Sequence, residues 1–245
     1  MTQATPGFAL NAVARLRDER EEAGIKPIEA RGWRATRCRA CRVIESHCLC
    51  AWRPKVQTRA GVCLIMTNKE VFKPSNTGWL IADVLADNFA FIWSRTEVDQ
   101  ALIDLLADPQ WQPYLVFPGE YVEQARVVNT VEPSDGKRPL FILLDATWTE
   151  ARKIFRKSAY FDTLPILSLM PEKLSRYRLR RSTRSEHLCT AEVAALCLEL
   201  AQDNDAANAL DAYFDVFSQH YLDAKRQLPL DCSSEAHEAL KRYMI

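Results

Sequence analysis

Nowhere in its 245 residues does this sequence approach the ~20 consecutive apolar residues that a membrane-spanning helix requires. No secretory leader is expected: the weakly apolar stretch from Phe8 to Ala14 is interrupted by Asn11 and runs into the charged residues Arg15 to Glu22. Both absences predict a cytoplasmic protein with no membrane partner, and nothing implies an obligatory protein partner. In that compartment the eight cysteines are expected as thiols or metal ligands rather than disulfides. There is no G-x-G-x-x-G sequence and no Walker A loop, which argues against a bound nucleotide di- or triphosphate. Internal repeats and low-complexity segments are absent too. The remaining composition is that of an ordinary globular protein, long enough for one sizeable core or a core with a small appendage.

A net charge of zero conceals segregation. Residues 31–59 hold eight basic residues against one acid, Glu45, and residues 150–184 hold ten against three. Each block is therefore +7, and the remainder carries −14, much of it between Glu199 and Asp223. A solvated helix face explains one such block. Two of them flanking the motifs below favour a polyanion, nucleic acid, as partner.

After about Pro54 the hydrophobic pattern alternates. It predicts strands over 61–66, 90–93, 114–117, 140–144 and 166–169, and helices over 77–86, 97–107 and 148–157. Such alternation implies an α/β domain with a mostly parallel sheet covered by helices on both faces. The last third is helical. Val193, Leu196, Cys197 and Leu200 share one helical face behind Thr190, a candidate cap, while Ala191, Ala194 and Ala195 leave room for another backbone. Further helices are expected over 209–222 and 234–243. The expected division is a helical extension (1–30), a cysteine module (31–58), the α/β domain (59–228) and a helical tail (229–245).

Cys38, Cys41, Cys48 and Cys50 form C-x2-C-x6-C-x-C, four thiols in thirteen residues poor in large apolar side chains. Thiolates bind zinc strongly, so this loop is expected to close around one structural Zn2+, with His47 an alternative fourth ligand because C-x-C is tight. Cys63, Cys189, Cys197 and Cys232 are scattered and expected as small core residues. Arg34, Arg37, Arg39, Arg42 and Arg53 surround the module and would clamp phosphates.

The densest chemical signal is Asp145-Ala146-Thr147-Trp148, directly behind the apolar run Leu140 to Leu144. Thr147 and Glu150 have capping-box spacing, so an acid and a tryptophan sit where a buried strand gives way to a helix. Ligands bind at such carboxyl ends in α/β sheets. The plainer reading makes Asp145 a turn former and Trp148 a core anchor. If the strand ending at Phe117 is a parallel neighbour, Phe117, Pro118 and Gly119 lie beside Leu144, Asp145, Ala146, Thr147 and Trp148, with Leu188, Cys189 and Thr190 as a third wall. Such loops suit an adenine ring in a phosphate-free ligand such as S-adenosylmethionine. Lys73, Ser75, Asn76 and Thr77 precede the first core helix, which Asn76 and Thr77 can cap. Alternatively they, together with Arg152, Lys153, Arg156 and Lys157, present groups to an RNA backbone.

With these residues in hand, the chain resembles the bacterial DTW-domain tRNA-uridine aminocarboxypropyltransferases, from about Arg31 to about Leu228. The shared features are the four cysteines, Lys-Pro-Ser-Asn-Thr-Gly at 73–78, Trp-Ser-Arg-Thr-Glu at 93–97, Val-Phe-Pro at 116–118, Leu-Asp-Ala-Thr-Trp at 144–148 and Cys-Thr-Ala-Glu-Val-Ala at 189–194. Some members carry His-Pro-x-Glu where this chain has Thr67-Asn68-Lys69-Glu70, which places more weight on Asp145. The resemblance implies a SPOUT-like fold with a C-terminal trefoil knot. It also implies transfer of the 3-amino-3-carboxypropyl group of S-adenosylmethionine to N3 of a tRNA uridine in the variable loop. N3 must lose its proton to react, and Asp145, desolvated by Trp148 and Leu144, is the candidate catalytic base. A SPOUT-like RNA methyltransferase is the nearest rival, and a non-catalytic zinc RNA-binding module is the rival from another class.

Overall fold

The computed structural model describes residues 10–26, 35–132, 136–169 and 188–244. Six strands form one sheet: β1 (Gly61–Met66), β2 (Asn88–Ile92), β3 (Trp111–Val116), β4 (Val127–Val128), β5 (Arg138–Asp145) and β6 (Ile166–Leu167), in the order β2-β1-β5-β3-β6-β4. Every pairing is parallel. The helices are α1 (Ala12–Glu22), α2 (Gly78–Val84), α3 (Gln100–Ala107), α4 (Trp148–Lys157), α5 (Thr190–Leu200), α6 (Asn204–Arg226) and α7 (Glu235–Lys241).

The pleat divides the central strands between two cores. Val62, Leu64 and Met66 of β1 join Phe141 and Leu143 of β5 on one face, beneath α2, α5 and α6. Cys63 and Ile65, with Leu140 and Ile142, face the opposite way toward Leu102 and Leu105 of α3 and Ile154 of α4. β1 and β5 are apolar on both faces because helices cover both, as buried parallel strands require. The α/β expectation therefore holds, and the strands β3 and β5 are direct neighbours, with Val116 opposite Leu143.

Three expectations are corrected at the level of elements. α5 buries Ala191, Ala194, Ala195, Cys197 and Leu198, whereas Val193 and Leu196 are only partly buried and Leu200 is exposed. The alanine face is the packed one, as the expected close approach of another backbone at Ala191, Ala194 and Ala195 requires, because α5 lies against α6 and α2 and only small side chains fit that gap. The N-cap of α5 is Cys189, not Thr190. Cys232 is exposed rather than a core residue. No helix among the described residues is long and apolar enough to cross a membrane. The chain between Leu169 and Leu188, and with it the expected knot and the second half of the distal basic block, lies outside the described residues.

Candidate ligand site at the carboxyl edge of the sheet

β3 and β5 end side by side, and a cavity of about 430 Å³ opens over their carboxyl ends. Phe117, Pro118, Leu144, Ala146, Trp148, Leu188 and Thr190 line it, all expected from the sequence. Val116, Leu143, Ala151, Leu169 and Val193 complete the wall and are not among the expected residues. They are apolar residues, four on strands or helices and Leu169 just beyond β6, indistinguishable by type from core. Gly119, Asp145, Thr147 and Cys189 do not line the cavity. Gly119 donates its N–H to Ser168 Oγ at 3.0 Å. Thr147 caps α4 in a reciprocal box with Glu150. Burial pushes the Cys189 thiol up to about 12, so it is inert toward bases at neutral pH.

Asp145 is 4% exposed. It continues the pleat of Phe141 and Leu143, so its carboxylate lies on the α2/α5 face, opposite to Leu144 and Ala146. Desolvation by Trp148 and Leu144 is thus corrected. Asn76 Nδ2 donates to Asp145 Oδ2 at 2.7 Å, and Thr190 Oγ1 donates to Asp145 Oδ1 at 2.7 Å. Asn76 Nδ2 also reaches Glu70 Oε2 at 3.4 Å, and Asn76 Oδ1 accepts the Gly78 N–H at 2.8 Å. Gly78 is required here: any Cβ would collide with the Asp145 carboxylate. Thr77 Oγ1 accepts the Ala191 N–H at 3.2 Å, which ties α2 to α5. Asn76 and Thr77 are 2% and 3% exposed and face inward. Their expected role toward RNA is therefore replaced by an internal one. Lys73 pairs with the fully buried Glu70 at 2.5 Å, and Ser75 is half-buried.

Trp148 is not a core anchor. It is 39% exposed and stacks on Phe117 at 5.6 Å and 14° between planes, with Tyr121, 44% exposed, edge-on at 5.4 Å. Behind it Phe117 stacks on Phe155 at 4.3 Å. Arg152, Lys153, Arg156 and Lys157 are all exposed on the outer face of α4. The Arg152 guanidinium lies over the Tyr121 ring at 5.2 Å, and Lys153 Nζ over the Trp93 ring at 5.4 Å. The mouth of the cavity is thus bordered by exposed aromatics and cations. That combination is of the chemical type that can stack on bases and neutralise phosphates.

The four cysteines converge. Their Sγ atoms all lie within 4.8 Å of one another, with Cys38–Cys50 at 3.5 Å and Cys41–Cys48 at 3.8 Å. Four sulfurs on a tetrahedral zinc stand roughly 3.8 Å apart, so the cluster can hold a structural zinc. Hydrogen bonds from Cys41, then Cys48 and Cys50, lower the Cys38 pKa well below the ordinary thiol range. The Leu49 N–H donates to Cys41 Sγ at 3.4 Å, as outer-shell donors to metal thiolates do. Arg42, at φ 62°, turns the chain after Cys41. His47 is excluded as a ligand in this arrangement: its ring nitrogens contact Ser46 Oγ at 2.9 Å and the Leu228 carbonyl at 3.0 Å. The phosphate clamp is corrected in part. Arg53 pairs with buried Asp83 at 3.0 Å, and Arg42 donates to the Phe72 carbonyl at 3.2 Å. Arg39 pairs with Asp18 but stays 67% exposed.

These features define a parallel α/β domain with an apolar cavity at the carboxyl edge of its sheet, fused to a four-cysteine module. The chain belongs to the DTW-domain family, whose DTW domain it matches over residues 35–222, from the cysteine module into α6. No solved structure matches it. Membership is consistent with a tRNA-modifying transferase.

Proposed function

We propose that this protein transfers the 3-amino-3-carboxypropyl group of S-adenosylmethionine to N3 of a uridine in tRNA, leaving 5′-methylthioadenosine. The observation that carries this reading is the apolar cavity at the carboxyl edge of β3 and β5, with Thr190, which donates to the buried Asp145, at its wall and a basic, aromatic mouth. The cavity falls within the size range of small-molecule sites. Its flat apolar walls suit a purine, and the absence of a phosphate loop suits a donor without phosphates. The sulfonium donor supplies an electrophilic carbon and a neutral thioether leaving group.

The chain's own residues handle position and proton. Thr190 lines the cavity and donates to Asp145, which is itself buried behind it. As N3 attacks, its proton passes to Thr190 Oγ1 while the hydroxyl proton of Thr190 moves to Asp145 Oδ1. Asn76 holds the other carboxylate oxygen throughout. Trp148 and Tyr121 stack on bases near the acceptor, and the α4 cations hold the backbone. Which carbon reacts follows from how the walls orient the donor.

Purified protein incubated with tRNA and donor labelled in the carboxyl carbon should move label into RNA, with the product nucleoside heavier by the aminocarboxypropyl group. Transfer of methyl label instead would establish the methyltransferase rival. Absence of both transfer and donor binding would leave the RNA-binding module.

A further inference from the structure

A second cluster of metal-ligating side chains lies outside the cavity and the four-cysteine module. His220 on α6, Cys232 in the following loop and His237 on α7 bring their ligand atoms within 4.8 Å of one another. Both histidines are 0% exposed, and their Nε2 atoms are 2.9 Å apart. The hydrogen positions make that approach unusual. His220 Nδ1 lies 3.0 Å from the His47 carbonyl, which can only accept, so Nδ1 carries the hydrogen. Gln219 Nε2 donates to the Asp231 carbonyl at 3.0 Å, which turns its Oε1 toward Ser234. Ser234 donates its hydroxyl hydrogen to that Oε1 at 2.6 Å. The Ser234 oxygen, 2.7 Å from His237 Nδ1, must then accept, and His237 also carries its hydrogen on Nδ1.

In two neutral rings with those tautomers, both Nε2 atoms present lone pairs, and the lone pairs face each other. Something positive must lie between them, either a shared proton or a cation. A proton makes one ring an imidazolium, and burial lowers the proton affinity of both. We propose that His220, His237 and Cys232 form a second transition-metal site, suited to zinc, which staples α7 and its approach loop to α6. The site is independent of the transfer reaction proposed above.

The outer contacts support a metal. Histidine ligands almost always donate the second ring N–H to a carbonyl or similar acceptor, as both do here. The edge of Trp52 packs on the His237 ring, with centroids 4.4 Å apart, excluding water from one side. Two nitrogens on a tetrahedral zinc stand roughly 3.3 Å apart, so a movement of a few tenths of an ångström admits the ion. Three protein ligands leave a fourth position for water or another ligand. Because His220 donates to the carbonyl of His47, next to Cys48, the two metal sites share one rigid connection.

Full-length protein purified without chelator is to be titrated with Zn2+ and with Co2+ after metal removal, with metal content read by elemental analysis and ligand type by the visible spectrum. The expected result is about two ions per chain. Cys232→Ser, at an exposed position, should keep the fold and weaken one ion about tenfold or more. His237→Gln should abolish that ion and its nitrogen-ligand spectrum while the sulfur-rich spectrum of the cysteine module persists. Binding of an ion that Cys232→Ser and His237→Gln both leave unchanged would overturn the proposal, as would a stoichiometry of one lost only with Cys38→Ser. Either result leaves the histidine pair sharing a proton.

Discussion

Thr190 is the residue on which the proposed chemistry turns, because it touches both the cavity and the hidden carboxylate. Asp145 at 4% exposure cannot meet a substrate directly without its neighbours moving. Removing the hydroxyl should therefore resemble removing the acid. We expect Thr190→Val and Asp145→Asn each to lower single-turnover rates about 10²–10⁴-fold, with tRNA binding intact. Thr190→Ser, which retains the hydroxyl, should recover most of the rate. Thr190→Val also removes one hydrogen bond to a buried carboxylate, so it should lose about 0.5–3 kcal/mol of stability in denaturant melts. If Asp145 merely fixes the position of the donor, saturating donor will restore turnover in both variants, and the proton route is wrong. A comparable test exists for Gly78: Gly78→Ala would push a methyl into the carboxylate and should damage activity as severely as Asp145→Asn, although Gly78 does not line the cavity.

At the scale of elements, α4 joins the two halves of the proposed function. Its inner residues Ala151 and Ile154 anchor it to the sheet, and its outer face carries four cations beside the aromatic mouth. Reversing Arg152, Lys153, Arg156 and Lys157 to glutamate should leave donor binding unchanged and sharply weaken tRNA binding. The slope of log affinity against log salt should flatten by roughly three to four, about one for each phosphate that is no longer neutralised. Equal tRNA affinity for the variant, across salt, would remove α4 from the interface. Much of this is legible in the sequence. β1 and α4 begin and end where the apolar run and the capping box place them, because both signals are local. β3 begins three residues earlier than its apolar run, since Trp111 is buried and Pro113 is tolerated in the strand. The two-residue β4 carries too little pattern to register. The face of α5 is misassigned by periodicity because hydrophobicity ranks valine and leucine above alanine, whereas the narrow space against α6 selects by size. The Glu70–Asn76–Asp145–Thr190 chain and the histidine pair are assembled from segments distant in sequence, and no local pattern announces such meetings.

On the scale of the whole molecule, the N-terminal helix, the cysteine module and the α/β core are joined through one buried acid. Asp83 on α2 accepts from Asn11 Nδ2, just before α1, at 2.6 Å, and from Tyr213 on α6 at 2.9 Å, and it pairs with Arg53 at 3.0 Å. The carboxylate is fully buried, and burial outweighs the opposing pull of Arg53, Asn11 and Tyr213, so its pKa rises from 3.8 to about 6. The sign of the consequence follows from the proton count. Between pH 3.8 and about 6 the folded chain holds a proton on Asp83 that the unfolded chain has lost. Its contribution to stability is therefore complete below pH 3.8 and is lost as pH rises through about 6. A shift of this size corresponds to about 3 kcal/mol. Other carboxylates act in the opposite sense, so the test is a difference. Urea unfolding of the native protein and of Asp83→Asn should be compared from about pH 3.5 to about pH 7.5, with the native protein losing ~3 kcal/mol relative to the variant across that range. Arg53 stays charged throughout, so its pull on the ionised carboxylate is already contained in the Asp83 pKa, and only the difference between asparagine and the neutral acid enters as a constant offset. A flat difference would mean that Asp83 stays ionised in the fold. The junction would then be held by charge pairing with Arg53 rather than by a neutral acid that turns costly as it ionises.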